Sequence, residues 1–307
     1  MGFKKWLRVP LLPFVAAVAL VSLALRPRVR RVTLPLALLG AGLAVWDATR
    51  APVAPGDELP PNEVDGLWQL ARARLLPGGP NLAHVERLYG YATAFSQAHG
   101  ARLPVVRAAV ILHDITKEKG EPDDKRRFCG HGEDGAKLAA DALDAMGKSK
   151  EFSAAVGSAI REHMGPLGTD WRSFRKRFVA RACPGWDYPT PSTRESEVLY
   201  DIDMLDLMTV DGILKVVKLR QADQSLHETI RQSALDGVES AWRSVVEAGQ
   251  TLRTSGGRDC GEALRSHSKA FLDAVDWEWA KDLATFEAAL GRYKQLRPLP
   301  SCLAPSP

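Results

Sequence analysis

Between Val105 and Leu112 the chain holds seven apolar residues and one Arg, and His113 and Asp114 follow at once. A helix that is apolar nearly all round belongs inside a protein. This stretch therefore reads as a buried helix that delivers an imidazole and a carboxylate side by side at its end. Adjacent helix residues point about 100° apart, so the two can approach a metal ion from neighbouring directions. Lys117 lies three and four residues beyond the pair, close enough for its ammonium to reach the same spot.

The spacing of the other histidines strengthens the metal reading. His84 lies 29 residues before His113, His131 17 after Asp114, and His163 32 after His131; Asp203 comes 40 residues after His163. Each sits in or beside a helical pattern. The series resembles the HD superfamily of metal-dependent phosphohydrolases, which carries a first His, the His-Asp doublet, further His residues and a late Asp. Leu112-His-Asp-Ile-Thr-Lys117, Phe128-Cys-Gly-His-Gly-Glu-Asp-Gly-Ala136 and Ile160-Arg-Glu-His-Met164 are also similar to the HD domain of bacterial CCA-adding tRNA nucleotidyltransferases. The resemblance covers roughly residues 80–210 and includes no nucleotidyltransferase head. Thr116 stands where Gly or Ala is frequent in that family.

The net charge of +4 is a property of the N-terminus. Residues 1–50 hold eight Lys/Arg against Asp47 alone, which leaves the remainder at −3. A general nucleic-acid surface is thus not expected on the body, and duplex DNA is not an expected partner. Val9–Leu25 and Val32–Trp46 are apolar runs of 17 and 15 residues, separated by Arg26-Pro-Arg-Val-Arg-Arg31. A span needs about 20 apolar residues, with about 17 as the lower limit. Residues 1–50 therefore read as a membrane anchor, with one span and a hairpin both open. The body is expected on the cytoplasmic side because the implied substrates are cytoplasmic. Cys129, Cys183, Cys260 and Cys302 show no zinc-ribbon spacing. They read as reduced thiols, although their spacing leaves a disulfide between any pair open.

After a Pro-rich linker at 51–62 the pattern is helical throughout, and an all-α fold is expected. Helices are predicted over Glu63–Leu76, 81–99, 105–116, Gly132–Met146, Glu151–Met164 and Glu195–Leu207. Further ones follow between Ile213 and Leu296, with Gly256-Gly257 separating two of them. The expected layout is an HD helical bundle over 63–220, extra C-terminal helices over 221–297 and a disordered tail over 298–307. Trp242, Trp277, Trp279, Phe271 and Phe286 read as core. His99, His227 and His267 stand outside the metal series and read as structural.

The resemblance implies His84, His113, Asp114 and Asp203 as ligands of one divalent metal, with Asp201 the runner-up for Asp203. It also allows a second ion, held by Asp114 with His131 and His163. Nitrogen and oxygen ligands suit Mn, Fe, Mg, Ni or Co. Asp114, Lys117 and Arg87 are the catalytic candidates, Lys117 and Arg87 as holders of phosphate oxygens. Arg172, Arg175 and Lys176, on the basic stretch Trp171–Arg181, read either as a substrate-steering lid or as a solvated face. The implied reaction is hydrolysis of a phosphomonoester or phosphodiester of a nucleotide or RNA end. A membrane-tethered nucleotide sensor without turnover is the alternative. Full-length protein is expected to sediment with membranes through residues 9–46, and removal of residues 1–50 to release a soluble body. Recovery of the full chain in a low-salt soluble fraction would refute the anchor.

Overall fold

The computed structural model describes residues 57–117, 129–165, 183, 186, 188–222, 229–242 and 252–303. The expected anchor, most of the linker and the basic stretch 171–181 lie outside these residues. Among the described residues there are ten helices and no strand, and no helix is long and apolar enough to cross a membrane.

The helices are α1 (Pro61–Arg74), α2 (Pro80–His99), α3 (Leu103–Leu112), α4 (His131–Ala145), α5 (Lys150–Glu162), α6 (Arg194–Asp206), α7 (Val210–Ala222), α8 (Ile230–Trp242), α9 (Ser255–Ala274) and α10 (Leu283–Leu296). Helix α3 is the central one and packs on α1, α2, α4, α5 and α6. Its Val105, Val106, Val110, Ile111 and Leu112 are buried, and each such side chain contributes roughly 1.5–3 kcal/mol. Helix α6 is buried along almost its whole length, acids included. It packs on α2, α3 and α5 on one side and on α9 on the other.

Start signals are placed by local chemistry. Pro61 and Pro80 open α1 and α2 at positions where a missing N–H costs nothing; Asn81 is therefore inside α2, not its cap. Ser149 caps α5 through Phe152 N–H, and Thr193 with Ser196 forms a capping box on α6. Gly256 and Gly257 do not separate two helices. They lie in the first turn of α9, whose cap Thr254 accepts from Gly257 N–H.

A second apolar core joins α7 to the C-terminal helices. Val210, Ile213 and Val217 meet Ile230, Phe271, Phe286, Leu290 and Tyr293 there, with Trp277 at its edge. Trp279 is not core: it is 40% exposed, with the Arg292 guanidinium 4.2 Å from its ring centre. The expected tail is held down as far as Leu303, which is fully buried.

The cysteines correct the expectation of reduced thiols. Cys129 pairs with Cys183 and Cys260 with Cys302, at Cα separations of 5.5 and 5.6 Å. The first bond lies in a small apolar cluster with Met164 and Tyr188, whose hydroxyl donates to Cys129 O. The second ties the C-terminal segment to α9. The loops they close are 54 and 42 residues long, worth about 4 kcal/mol each in the chain-entropy limit. Alkylation of unreduced, denatured full-length protein should therefore label no cysteine, and alkylation after reduction all four. Any label before reduction would break the pairing.

Candidate metal centre

Five helices bring polar groups to one buried place. His84 comes from the first turns of α2, His113 caps the C-terminus of α3, and Asp114 follows it. His131 opens α4, His163 caps α5, and Asp203 lies on α6. Their approach depends on small residues. A Cβ at Gly135 would meet His113 O at 3.2 Å, and one at Gly132 would meet Ile160 O at 3.3 Å. These two positions let α4 lie directly on the ends of α3 and α5. After His163 the chain turns away through Gly165, with φ +60° and no room for a Cβ beside the Tyr200 ring. Glu162 then secures the return to α6 by accepting from Ser192 N–H and its hydroxyl.

The hydrogen bonds at the back of each imidazole decide what its front presents. His84 Nδ1 donates to Asp206 at 2.7 Å, His113 Nδ1 to Val110 O at 2.8 Å, and His163 Nδ1 to Ile160 O. In the neutral ring each Nε2 then presents a lone pair inward. His84 Nε2 faces Asp203 Oδ1 at 3.0 Å, and His113 Nε2 faces Asp114 Oδ1 at 3.5 Å. The first pair is at hydrogen-bonding distance and the second is not. His113 Nε2 and Asp114 Oδ1 are both buried with no hydrogen-bond partner, a costly arrangement unless a cation fills it.

Two sets of these acceptors lie within 4.8 Å of one another: His84, His113 and Asp203, and His113, Asp114 and His163. His113 belongs to both but has one inward lone pair, so it serves one ion. A second ion would keep Asp114 and His163 and take His131, whose Nε2 is 3.5 Å from Asp114 Oδ1 and 3.1 Å from His163 Nε2. The donor chemistry fits a divalent metal. His84 is the ring braced from behind by a carboxylate, as metal-ligating histidines commonly are.

Electrostatics keep the groups in their ligating forms. Burial pushes His113 down to about 4, against the pull of Asp114, and lowers His163 too. Burial alone would raise Asp114, but His113 and Lys117 outweigh it and hold the carboxyl well below its usual range. In Asp203 the same penalty is overcome by His84 first, then by His113 and His163. His113 and His163 are thereby favoured as neutral imidazoles, and Asp114 and Asp203 as carboxylates.

The six expected metal ligands, His84, His113, Asp114, His131, His163 and Asp203, converge in this way. Asp201, the runner-up, faces elsewhere: its carboxylate accepts from Arg253 N–H, Thr254 N–H and the Thr254 hydroxyl, and so anchors the start of α9. Lys117 reaches Asp114 Oδ2 at 2.8 Å. Arg87 does not point where a phosphate holder should. Its Nε and Nη2 donate to the two oxygens of Asp206, at 2.8 and 2.7 Å. It steadies the carboxylate that orients His84. His99 and His267 stand apart, beside Phe95 and against Arg297 O. Arg172, Arg175, Lys176 and His227 lie outside the described residues.

Asp206 is the participant that the sequence reading passed over. Burial would raise its carboxyl, but Arg87 and His84 together keep it ionised. Its signal was the three-residue step from Asp203, which puts both acids on one face of α6.

Residues 81–208 match the HD domain family model. HD domains are generally metal-dependent phosphohydrolases, and the matched segment contains all six converging ligands and Asp206. No curated protein matches the chain. A crystal structure of a Lactobacillus plantarum protein, a structural-genomics target, aligns over 73% of this chain and 100% of its own, with 18% identity and a TM-score of 0.47. That likeness is too distant to bear on the chemistry.

His113→Ala and Asp114→Ala in the full chain are expected to lose most bound divalent metal while keeping their helical circular dichroism. Asp206→Asn, which removes no ligand, should weaken metal binding about 10- to 100-fold. Full metal content in all three by elemental analysis would sink the assignment.

Proposed function

We propose that this chain is a phosphohydrolase acting on a phosphomonoester or phosphodiester of a nucleotide or RNA end. The observation that carries the reading is the pair of buried acceptor sets beside Lys117, within the HD-matched segment. His84, His113 and Asp203 would hold one divalent ion, and Asp114, His131 and His163 a second; Mn, Fe, Mg, Ni and Co all suit these donors. A bound ion supplies Lewis acidity and a water made acidic enough to attack at neutral pH. The chain's own residues do the rest. Asp114 gives Oδ2 to Lys117 and keeps Oδ1 for the metal. Lys117, with its side chain 22% exposed, is the cation at the mouth of the site, able to reach a non-bridging phosphate oxygen. Arg87 and Asp206 hold His84 in its ligating tautomer. The nucleotide or RNA-end preference is supported by the resemblance of residues 112–117, 128–136 and 160–164 to the HD domain of CCA-adding enzymes.

The N-terminal apolar runs support a membrane tether for this body. Two disulfides favour the oxidising side of that membrane over the cytoplasmic one, because thiols are kept reduced in the cytosol. The basic stretch with Arg172, Arg175 and Lys176 falls between His163 and Asp203 in sequence, which suits a part in substrate capture.

The test separates binding from chemistry. Lys117→Ala should retain its metal yet lose about 100-fold or more in kcat/KM, since the lost group addresses charge on the substrate. Unchanged kcat/KM would remove Lys117 from the site. A metal-loaded wild type inert toward a broad panel of mono- and diesters would replace the hydrolase by a nucleotide-binding sensor.

A further inference from the structure

His131 is the first residue of α4, and Gly130 alone separates it from Cys129. At the other helix end, Met164 directly follows His163, the cap of α5. Cys129 and Met164 meet Cys183 and Tyr188, from the segment between α5 and α6, in one small buried cluster. The Cys129–Cys183 bond closes it, and the Tyr188 hydroxyl donates to Cys129 O at 3.0 Å. Met164 lies against α4, with its Cγ 3.6 Å from where a Cβ on Gly132 would stand. On the side of α3, the Thr116 hydroxyl donates to His131 O at 3.2 Å.

The disulfide therefore sits where the start of α4 meets the end of α5, the two points that present His131 and His163. The Nε2 atoms of these rings are 3.1 Å apart, and that of His131 is 3.5 Å from Asp114 Oδ1. Ligand sets tolerate displacements of only about 0.5 Å. The first turn of a helix has the fewest internal backbone bonds, so the residues just ahead of His131 govern where its ring stands. The other acceptor set is braced differently. Neither His84 nor Asp203 adjoins a described member of this cluster in sequence, and His84 is held by Asp206 instead.

We propose that the Cys129–Cys183 bond is a positioning element for the second metal ion, so that the chain holds two ions with the bond closed and one with it open. This rests on the two-ion form of the phosphohydrolase reading and deepens it. The first ion depends on His84, His113 and Asp203, which the bond does not adjoin; the second depends on His131 and His163, which it does. Loss of this bond acts on the metal count as well as on stability.

Titration of the full chain with manganese(II), read by elemental analysis, tests this without turnover. Cys129→Ser with Cys183→Ser is expected to keep one equivalent at wild-type affinity and to bind the second about 10- to 100-fold more weakly. Cys260→Ser with Cys302→Ser opens a loop of comparable length, 42 residues against 54, in a different part of the core, and should keep both ions. Two equivalents at wild-type affinity in the first variant, or equal loss in the two variants, overturns the proposal. If the first variant does not fold, the wild type answers instead. A water-soluble phosphine reduces a disulfide to two thiols, taking the oxygen of water while its protons go to sulfur, and the thiols are then alkylated and located by peptide mass. A buried bond reacts when its surroundings open, and an ion that binds only the closed form makes opening rarer. The second equivalent of manganese should therefore slow labelling of Cys129 and Cys183 and leave Cys260 and Cys302 unchanged. Labelling of Cys129 and Cys183 at the same rate with one and with two equivalents also overturns it. A wild type that takes one ion ends the two-ion reading and this proposal with it, whereas one that loses its second ion with the bond but cleaves no ester ends the hydrolase reading alone.

Discussion

Buried acceptors gathered at one point govern this structure. His113 Nε2 and Asp114 Oδ1 face each other at 3.5 Å, both buried and without a hydrogen-bond partner, and His84 Nε2 stands 3.0 Å from Asp203 beside them. Such an arrangement costs several kcal/mol for each unmet group in an apolar interior. It persists because every ring is held from behind. A main-chain carbonyl fixes His113 and another fixes His163, while Asp206, itself locked by Arg87, fixes His84. The α-helical frame serves this: three of the four imidazoles sit at helix ends, where the chain can turn a side chain into the centre.

Packing determines how closely these helix ends meet. Glycines at 132 and 135 bring α4 against the carbonyls of α3 and α5, and Gly165 releases the chain beside Tyr200. The C-terminal helices are more than an appendage to this frame. Helix α9 is anchored on Asp201 of α6, and α7 shares a core with α9 and α10 while also packing on α2.

Much of this was legible in the chain. The apolar run before His113, the late Asp on a helix and the absence of alternating patterns pointed to an all-α body with a metal centre, and helix ends fell within a few residues of those observed. What was not legible depended on tertiary contacts. Arg87 shares a face with His84, which suggested a substrate contact, but the acid opposite it on α6 is visible only once α2 and α6 are packed. The cysteine pairs span 54 and 42 residues, and no local pattern encodes such partners. The C-terminal segment looked too polar and Pro-rich to order itself, yet Leu303 is buried beside the Cys260–Cys302 bond.

Acceptors gathered in this way also couple this protein's stability to its solution. An ion that binds the folded centre and ignores the unfolded chain stabilises the fold by RT ln(1 + [ion]/Kd), about 2.7 kcal/mol at a hundredfold excess over Kd. Unfolding scatters His84, His113, His163 and the acids far apart, so little of that affinity survives in the denatured chain. The melting temperature is then a function of free-metal activity rather than a fixed property of the polypeptide. A chelator acts as a denaturant in such a system, and trace metal in a buffer acts as a stabiliser.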